Sequence, residues 1–272
     1  MAGSTSIVEL AAQLGWVARA EPYRADETLP GGAEPDPLGY GSLMFRAPLW
    51  KASDPPPPSE FNPAWPPTEH LTPLDQGSQA LCVAHAACAS VEGRIERMGG
   101  IPARLAPRQL HFCIIGNSGS NGASVAQLHG ALKARGAPID HGDDSAIRLI
   151  SDCALIGQPG RAVKVAGLHM LDSPMAMKAA IAMRGPIVGY MDQYPDFWNH
   201  YVDGIYRPTV SWPASAPPPT HAVSVIGYSD HQGFWVCRNS RGTAWGQFGY
   251  FLIAYDVCRI GLGLSAYELI LQ

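Results

Sequence analysis

The stretch Asp75-Gln76-Gly77-Ser78-Gln79-Ala80-Leu81-Cys82-Val83-Ala84-His85-Ala86-Ala87-Cys88-Ala89-Ser90-Val91 carries a polar, glycine-containing turn straight into a helix. From Ala84 onward the apolar residues recur at Ala87, Val91, Ile95 and Met98, the spacing of one helical face. Gly99-Gly100 then supplies residues that accept the left-handed backbone of a helix end. Glu92, Arg94, Glu96 and Arg97 fall on the opposite side and are expected to be wet. Cys82 therefore stands in a first turn, where unpaired backbone N–H groups and the positive end of the helix dipole favour thiolate over thiol. That makes it a candidate nucleophile.

Outward from this helix, the chain reads as a globular protein. Its 272 residues, 46% of them hydrophobic, suffice for one large domain or two lobes. Net charge is −4 and the nineteen basic residues are scattered, so neither nucleic acid nor an anionic membrane is indicated as a partner. No apolar run reaches bilayer-spanning length. The first apolar stretch, residues 7–17, is broken by Glu9, Gln13 and Gly15 and lacks a preceding basic flank, so no signal peptide is read there. The six cysteines, Cys82, Cys88, Cys113, Cys153, Cys237 and Cys258, form no CxxC pair, which is the pattern of free thiols and makes a cytoplasmic location the default expectation.

Ser4 or Ser6 is placed to cap a short helix with Ile7, Leu10, Ala11, Leu14 and Val17 on one face. Little else before residue 55 is regular, and Pro55-Pro56-Pro57-Pro58 reads as a stiff spacer. Residues 1–57 are thus an extension that drapes over the main domain or lies across its cleft. Past the organising helix, residues 105–110 open a second short helix ending near Cys113, and a loop over 116–122 leads to a third with Val125, Leu128 and Leu132 on one face. Ser173, Pro174 and Gly185 bracket a fourth. Beyond it the pattern turns to strands over 187–190, 221–228, 234–238, 249–253 and 266–271, separated by glycine turns as in an antiparallel sheet. An α+β architecture follows, with a helical lobe over about residues 75–165 and a sheet lobe over about 166–272.

A thiolate needs a group to manage its proton, and imidazole is the usual one. His221 opens the longest apolar strand, and Asn239 closes the next, where its amide can orient an imidazole.

Together, Gln76-Gly77-Ser78 ahead of Cys82, the Ser120-Asn121-Gly122 loop, Thr220-His221-Ala222-Val223 and the block from Asn239 through Gly242, Trp245, Gly246 and Gly249-Tyr250-Phe251 resemble the papain family of cysteine peptidases. The match runs over roughly residues 58–272. That family places its His and Asn about 130–150 residues after the Cys; here they stand 139 and 157 residues after Cys82. Gln79, where the family carries a cysteine, points to its short bacterial members. The resemblance implies a two-lobed fold, its sheet lobe an antiparallel, barrel-like one, with Cys82 as nucleophile, His221 as general base and acid, Asn239 orienting His221, and Gln76 in the oxyanion hole. It also implies Gly122, Ala123 and Leu81 along the substrate path, a peptide or protein substrate, and neither cofactor nor metal.

The departures from the family pattern are local. Ala80-Leu81 and Val83 flank the nucleophile, so that Leu81 is expected to narrow the cleft. Ala123 replaces a glycine whose backbone pairs with substrate, and Arg241 replaces the tryptophan that shields the Asn–His contact. These changes motivate two alternatives to hydrolysis: acyl transfer to an amine by the same triad in a biosynthetic pathway, and a catalytically silent binding module. His85 is read as a solvated or satisfied histidine rather than a zinc ligand, since no second ligand pair accompanies it. Cys88 and Cys113 are read as core thiols, and Tyr194, Trp198 and Trp212 as cover from an insertion.

Overall fold

The computed structural model describes residues 5–24, 55–61, 72–101, 103–154, 161–213, 217–261 and 266–271. Helix α1 (Ile7–Gln13) starts at Ser6, whose hydroxyl accepts from Glu9 N–H while Glu9 reaches back to the Ser6 N–H, a reciprocal capping box. Leu14 and Val17, expected on its apolar face, lie past its end. Gly15, at φ +84°, turns the chain there, and Val17 belongs to strand β1 (Trp16–Ala18).

Helix α2 (Cys82–Arg97) follows the opening turn as expected, with Met98 beyond it and 70% exposed. Its charged side differs from expectation. Glu92 and Arg94 are buried because each meets an opposite charge far away in the chain: Arg238 Nη1 donates to Glu92 Oε2 at 2.9 Å, and Arg94 faces Glu268 at 3.4 Å. Buried charges persist only when paired in this way. Gly93 lets α2 press against the chain just before β6, since a Cβ there would lie 2.6 Å from Pro186 Cγ.

A π-helical turn (Gln109–Ile115) and helix α3 (Val125–Arg135), capped by Ser124, complete the helices of this half. β3 (Ala137–Pro138) and β4 (Ala162–Val163) pair antiparallel as a separate two-stranded ladder. Strand β5 (Val165–Leu171), which the residue pattern did not signal, precedes helix α4 (Pro174–Arg184), set by the expected Ser173, Pro174 and Gly185. Strand β6 (Ile187–Asp192), helix α5 (Pro195–His200) and strand β7 (Tyr201–Tyr206) follow, then β8 (Thr220–Ser229), β9 (Phe234–Arg238), β10 (Tyr250–Ala254) and β11 (Ala266–Leu271).

These strands make one sheet in the order β1-β7-β10-β9-β8-β6-β11-β5. It is mixed and open, where an antiparallel, barrel-like lobe was expected. β7 runs parallel to β10, because the long connection after Tyr206 carries the chain away instead of turning it back as a hairpin. The two ends of the path, β1 and β5, do not pair, so no barrel closes. The proline run is no free spacer: Tyr228 Oη donates to the Pro58 carbonyl, and β2 (Glu60–Phe61) pairs with β8.

Alternate residues of the central strands go to opposite faces. Val188, Tyr190 and Ala222 join Cys82, Val91 and Leu128 in the core under α2 and α3. Ile187, Met191, Val223 and Val225 join Met177 and Ile181 of α4 on the other face. The sheet is thus covered on both sides, and the amino end of α2 is held against β8.

One cysteine expectation is overturned. Cys113 and Cys153 form a disulfide between the π-helical turn and the segment Ile150–Ala154, while Cys82, Cys88, Cys237 and Cys258 are free. The pair is 40 residues apart in sequence, so no short Cys motif announces it, and the compartment expectation that rested on six free thiols loses that basis.

Candidate active site

Cys82 is the first residue of α2, with Leu81 as its N-cap. The backbone N–H groups of Ala222, Val83 and Cys82 act on its sulfur to favour the thiolate, which puts it near the start of β8. His221 is the residue before Ala222, so the strand that carries the imidazole also carries the backbone N–H that acts on the Cys82 sulfur. His221 Nε2 lies 2.8 Å from Asn239 Oδ1. The Ser240 backbone N–H also donates to Asn239 Oδ1, at 2.9 Å. A backbone N–H can only donate, so Oδ1 is the acceptor, Nε2 carries a proton, and Nδ1 of a neutral His221 is left with a lone pair.

Gln76 is tied into the same array. Its Nε2 donates to the Gln79 carbonyl at 2.6 Å, its Oε1 accepts from the Ser240 hydroxyl, and its backbone N–H donates to the Ser240 carbonyl at 2.9 Å. One Nε2 hydrogen is thereby left for another acceptor. Gln79 stands against Gly119, where a Cβ would lie 2.5 Å from Gln79 Nε2. Gln79 holds the turn with polar bonds: its Nε2 donates to the Arg148 carbonyl and its Oε1 accepts from Arg108.

The remaining candidates are placed less uniformly. Ala123 is buried in the same cluster as Cys82, and the Gly122 carbonyl accepts from Asn117 Nδ2 at 2.7 Å. Leu81 does not narrow the cleft with its side chain. It packs with Phe112 and Ile147 inside the helical half, because the residue before Cys82 turns back toward that half's own small core. Arg241 is fully buried, with its guanidinium 3.6 Å from the centre of the Trp198 ring. Trp198 in turn meets His221 edge-on, at 5.6 Å between ring centres. Sequence reasoning took Trp198 as mere cover; its position on α5, which brings it against β8, has no local signal.

The N-terminal segment reaches this neighbourhood. β1 pairs with β7, Tyr23 N–H donates to the Asn199 carbonyl, and the Tyr23 hydroxyl donates to the Arg241 carbonyl at 3.3 Å. Arg241 also lies over the Tyr23 ring, and Arg24 pairs with Asp75.

Burial dominates the electrostatics. Cys82 and His221 are 0% and 1% exposed. The thiol is pushed up to about 11 by desolvation, which outweighs the three backbone N–H groups that lower it. That reverses the expectation of a favoured thiolate, since the dipole of a helix end does not offset removal of the charge from water. His221 is lowered to about 4, first by burial and further by the Arg241 charge, against the raising effect of Asn239. With these directions thiol and imidazole are both neutral near pH 7.

A pH dependence follows. Above about pH 6.5 the folded and unfolded chains both hold neutral imidazole at His221. As pH falls toward about 4 only the unfolded chain binds the proton, so this ring alone removes roughly 3 kcal/mol of stability from the fold. His85, held well below its ordinary value by burial and then by Arg108 and Arg238, acts in the same direction. Asp144, pushed up to about 6 by burial, acts in the opposite one between about 4 and 6. Two rings outweigh one carboxylate, so the thermal midpoint at pH 4.5 is expected to fall below that at pH 7. A midpoint that holds or rises contradicts burial of the neutral pair.

Residues 64–267 match the family model described as papain family cysteine protease. The chain belongs to the papain family of cysteine proteases. Among its papain-family relatives, cathepsin K of Gallus gallus is 31% identical over 195 residues, which is 69% of this chain and 57% of that protein. Cysteine proteinase 3 of Entamoeba histolytica is 26% identical over 201 residues, covering 69% of this chain and 61% of that one. The aligned part is thus little more than half the length of these curated relatives. The same papain-like fold is seen in proCathepsin B S9 from Trypanosoma congolense, at TM-score 0.75 and 18% identity over 96% of this chain and 95% of that one. It is seen as well in digestive procathepsin L 3 of Tenebrio molitor, at TM-score 0.63 and 20% identity over 85% and 74%.

Proposed function

We propose that this chain hydrolyses peptide bonds through a thioester on Cys82, and that its N-terminal segment holds it in a closed, inactive state. The observation that carries the reading is the His221 Nε2–H bond to an Asn239 oxygen fixed by Ser240, which leaves a lone pair on Nδ1 of the residue next to Ala222, whose N–H acts on the Cys82 sulfur. Papain-family membership supports the same chemistry.

In the opened protein, Nδ1 takes the thiol proton and the sulfur attacks the substrate carbonyl carbon. The carbonyl oxygen gains charge and accepts from the free Nε2 hydrogen of Gln76 and from the Cys82 N–H. The imidazolium gives its proton to the departing amine, leaving the acyl group on sulfur. A water molecule, deprotonated by the same nitrogen, then attacks the thioester and restores the thiol. Hydrolysis of an unfolded protein substrate, blocked by alkylation with an epoxide or chloromethyl ketone at Cys82, tests the reading; no cleavage by the opened protein contradicts it.

Gln76→Ala removes one of the two donors. It is expected to lower kcat by about 10²–10³-fold with little change in KM, measured by steady-state kinetics on a peptide ester or amide. An unchanged kcat removes Gln76 from the oxyanion site.

The closed state is supported by the complete burial of Cys82, the pairing of β1 with β7 and the seating of Tyr23 on Arg241. Two solved structures with the same fold are themselves proenzyme forms.

A further inference from the structure

His85, read from its sequence context as solvated or satisfied, lies one turn after Cys82 on α2 and is buried. Its Nε2 has no hydrogen-bond partner, and neither has Nδ2 of Asn239. Both residues line one cavity, whose walls include Cys88, Glu92 and Arg238 beside the apolar Leu74 and Pro107. The cavity has room for about one water molecule. Because Asn239 Oδ1 is the acceptor for His221 and Ser240, the unpaired group of its amide is the Nδ2 donor, and Asn239 lines this cavity.

The chemistry of the walls selects the occupant. A cation is disfavoured by the amide N–H and the Arg238 guanidinium, and an anion by the Glu92 carboxylate. Water accepts from Nδ2, serves Nε2 of a neutral imidazole in either tautomer, and can donate to Glu92. Burial and the nearby Arg108 and Arg238 charges keep His85 neutral.

We propose that one water molecule binds in this cavity, bridging Asn239 Nδ2 to His85 Nε2, and that His85 is thereby a positioning residue for the Asn239–His221 pair. An unpaired buried N–H favours any rotation of the Asn239 amide that finds it a partner, and such a rotation gives up the His221 bond. The bridge removes that incentive. It also ties an amide on the sheet side to the helix that carries the nucleophile, so the orienting group and the sulfur move together.

The kinetic part of this inference rests on the peptidase reading; the structural part does not. In a high-resolution crystal structure of the wild-type chain, an ordered water within hydrogen-bond distance of both nitrogens is expected, and an empty cavity overturns the proposal. In the opened enzyme, His85→Leu is expected to lower kcat about tenfold with KM within twofold, while His85→Gln, which keeps a polar end for the water, recovers most of the rate. Equal losses in both variants, or none in His85→Leu, overturn the positioning role. If the opened wild type cleaves nothing while the bridging water is present, the peptidase reading fails and the water site stands.

Discussion

Replacing Cys82 with alanine is expected to lower kcat/KM for peptide hydrolysis by at least about 10⁴-fold, and His221→Ala alone is expected to cost about as much. The two groups act as one unit: without Nδ1 of His221 the sulfur keeps its proton, and without the sulfur the imidazole has no acyl group to hand to water. The double variant should therefore be no slower than either single one. Steady-state hydrolysis of a peptide amide by the opened protein, with product release checked by mass spectrometry, measures this. Independent, additive losses contradict a shared proton. So does residual turnover by Cys82→Ala near the wild-type rate.

Release of the N-terminal segment has the second large effect. With the sulfur pushed up to about 11 in the closed state, its thiolate fraction at pH 7 is about a hundredfold smaller than that of a thiol at the ordinary value of 9.0. A specific protease site introduced between residues 25 and 54, once cut, is expected to raise the alkylation rate of Cys82 by about a hundredfold or more, since solvent access improves together with ionisation. Tyr23→Ala, which removes the contact with Arg241, is expected to raise the uncut rate by a smaller factor. Alkylation that is equally fast before and after cutting contradicts a closed state held by this segment.

Much of this site is legible along the chain because its signals are local. The spacing of Val125, Leu128 and Leu132 marks α3, and Ser173, Pro174 and Gly185 bracket α4. The runs of valine, isoleucine and aromatic residues fix β6, β8, β9 and β11. Cys82, His221 and Asn239 are nominated by the motifs around them, the Gln76-Gly77-Ser78 turn and the glycine-rich block after Asn239, through the family resemblance. What escapes is set by partners distant in sequence. β5 is interrupted by Gly167 and His169, and β7 by Asp203 and Gly204, and both become strands because β11, β1 and β10 pair with them. Glu92 and Arg94 look wet until Arg238 and Glu268, 146 and 174 residues further on, fold against them. The same holds for the burial of Cys82, which overrides the helix-end preference for thiolate, and for the cavity that gives His85 a place beside Asn239.

The proposed hydrolysis depends on proton sharing between Cys82 and His221, and the pH dependence of Cys82 alkylation in the opened protein tests it most directly. The wild type is expected to react well below pH 7, on a limb set by the thiolate–imidazolium pair, while His221→Ala reacts only as pH approaches that of an ordinary thiol. Superimposable profiles for the two proteins would contradict it.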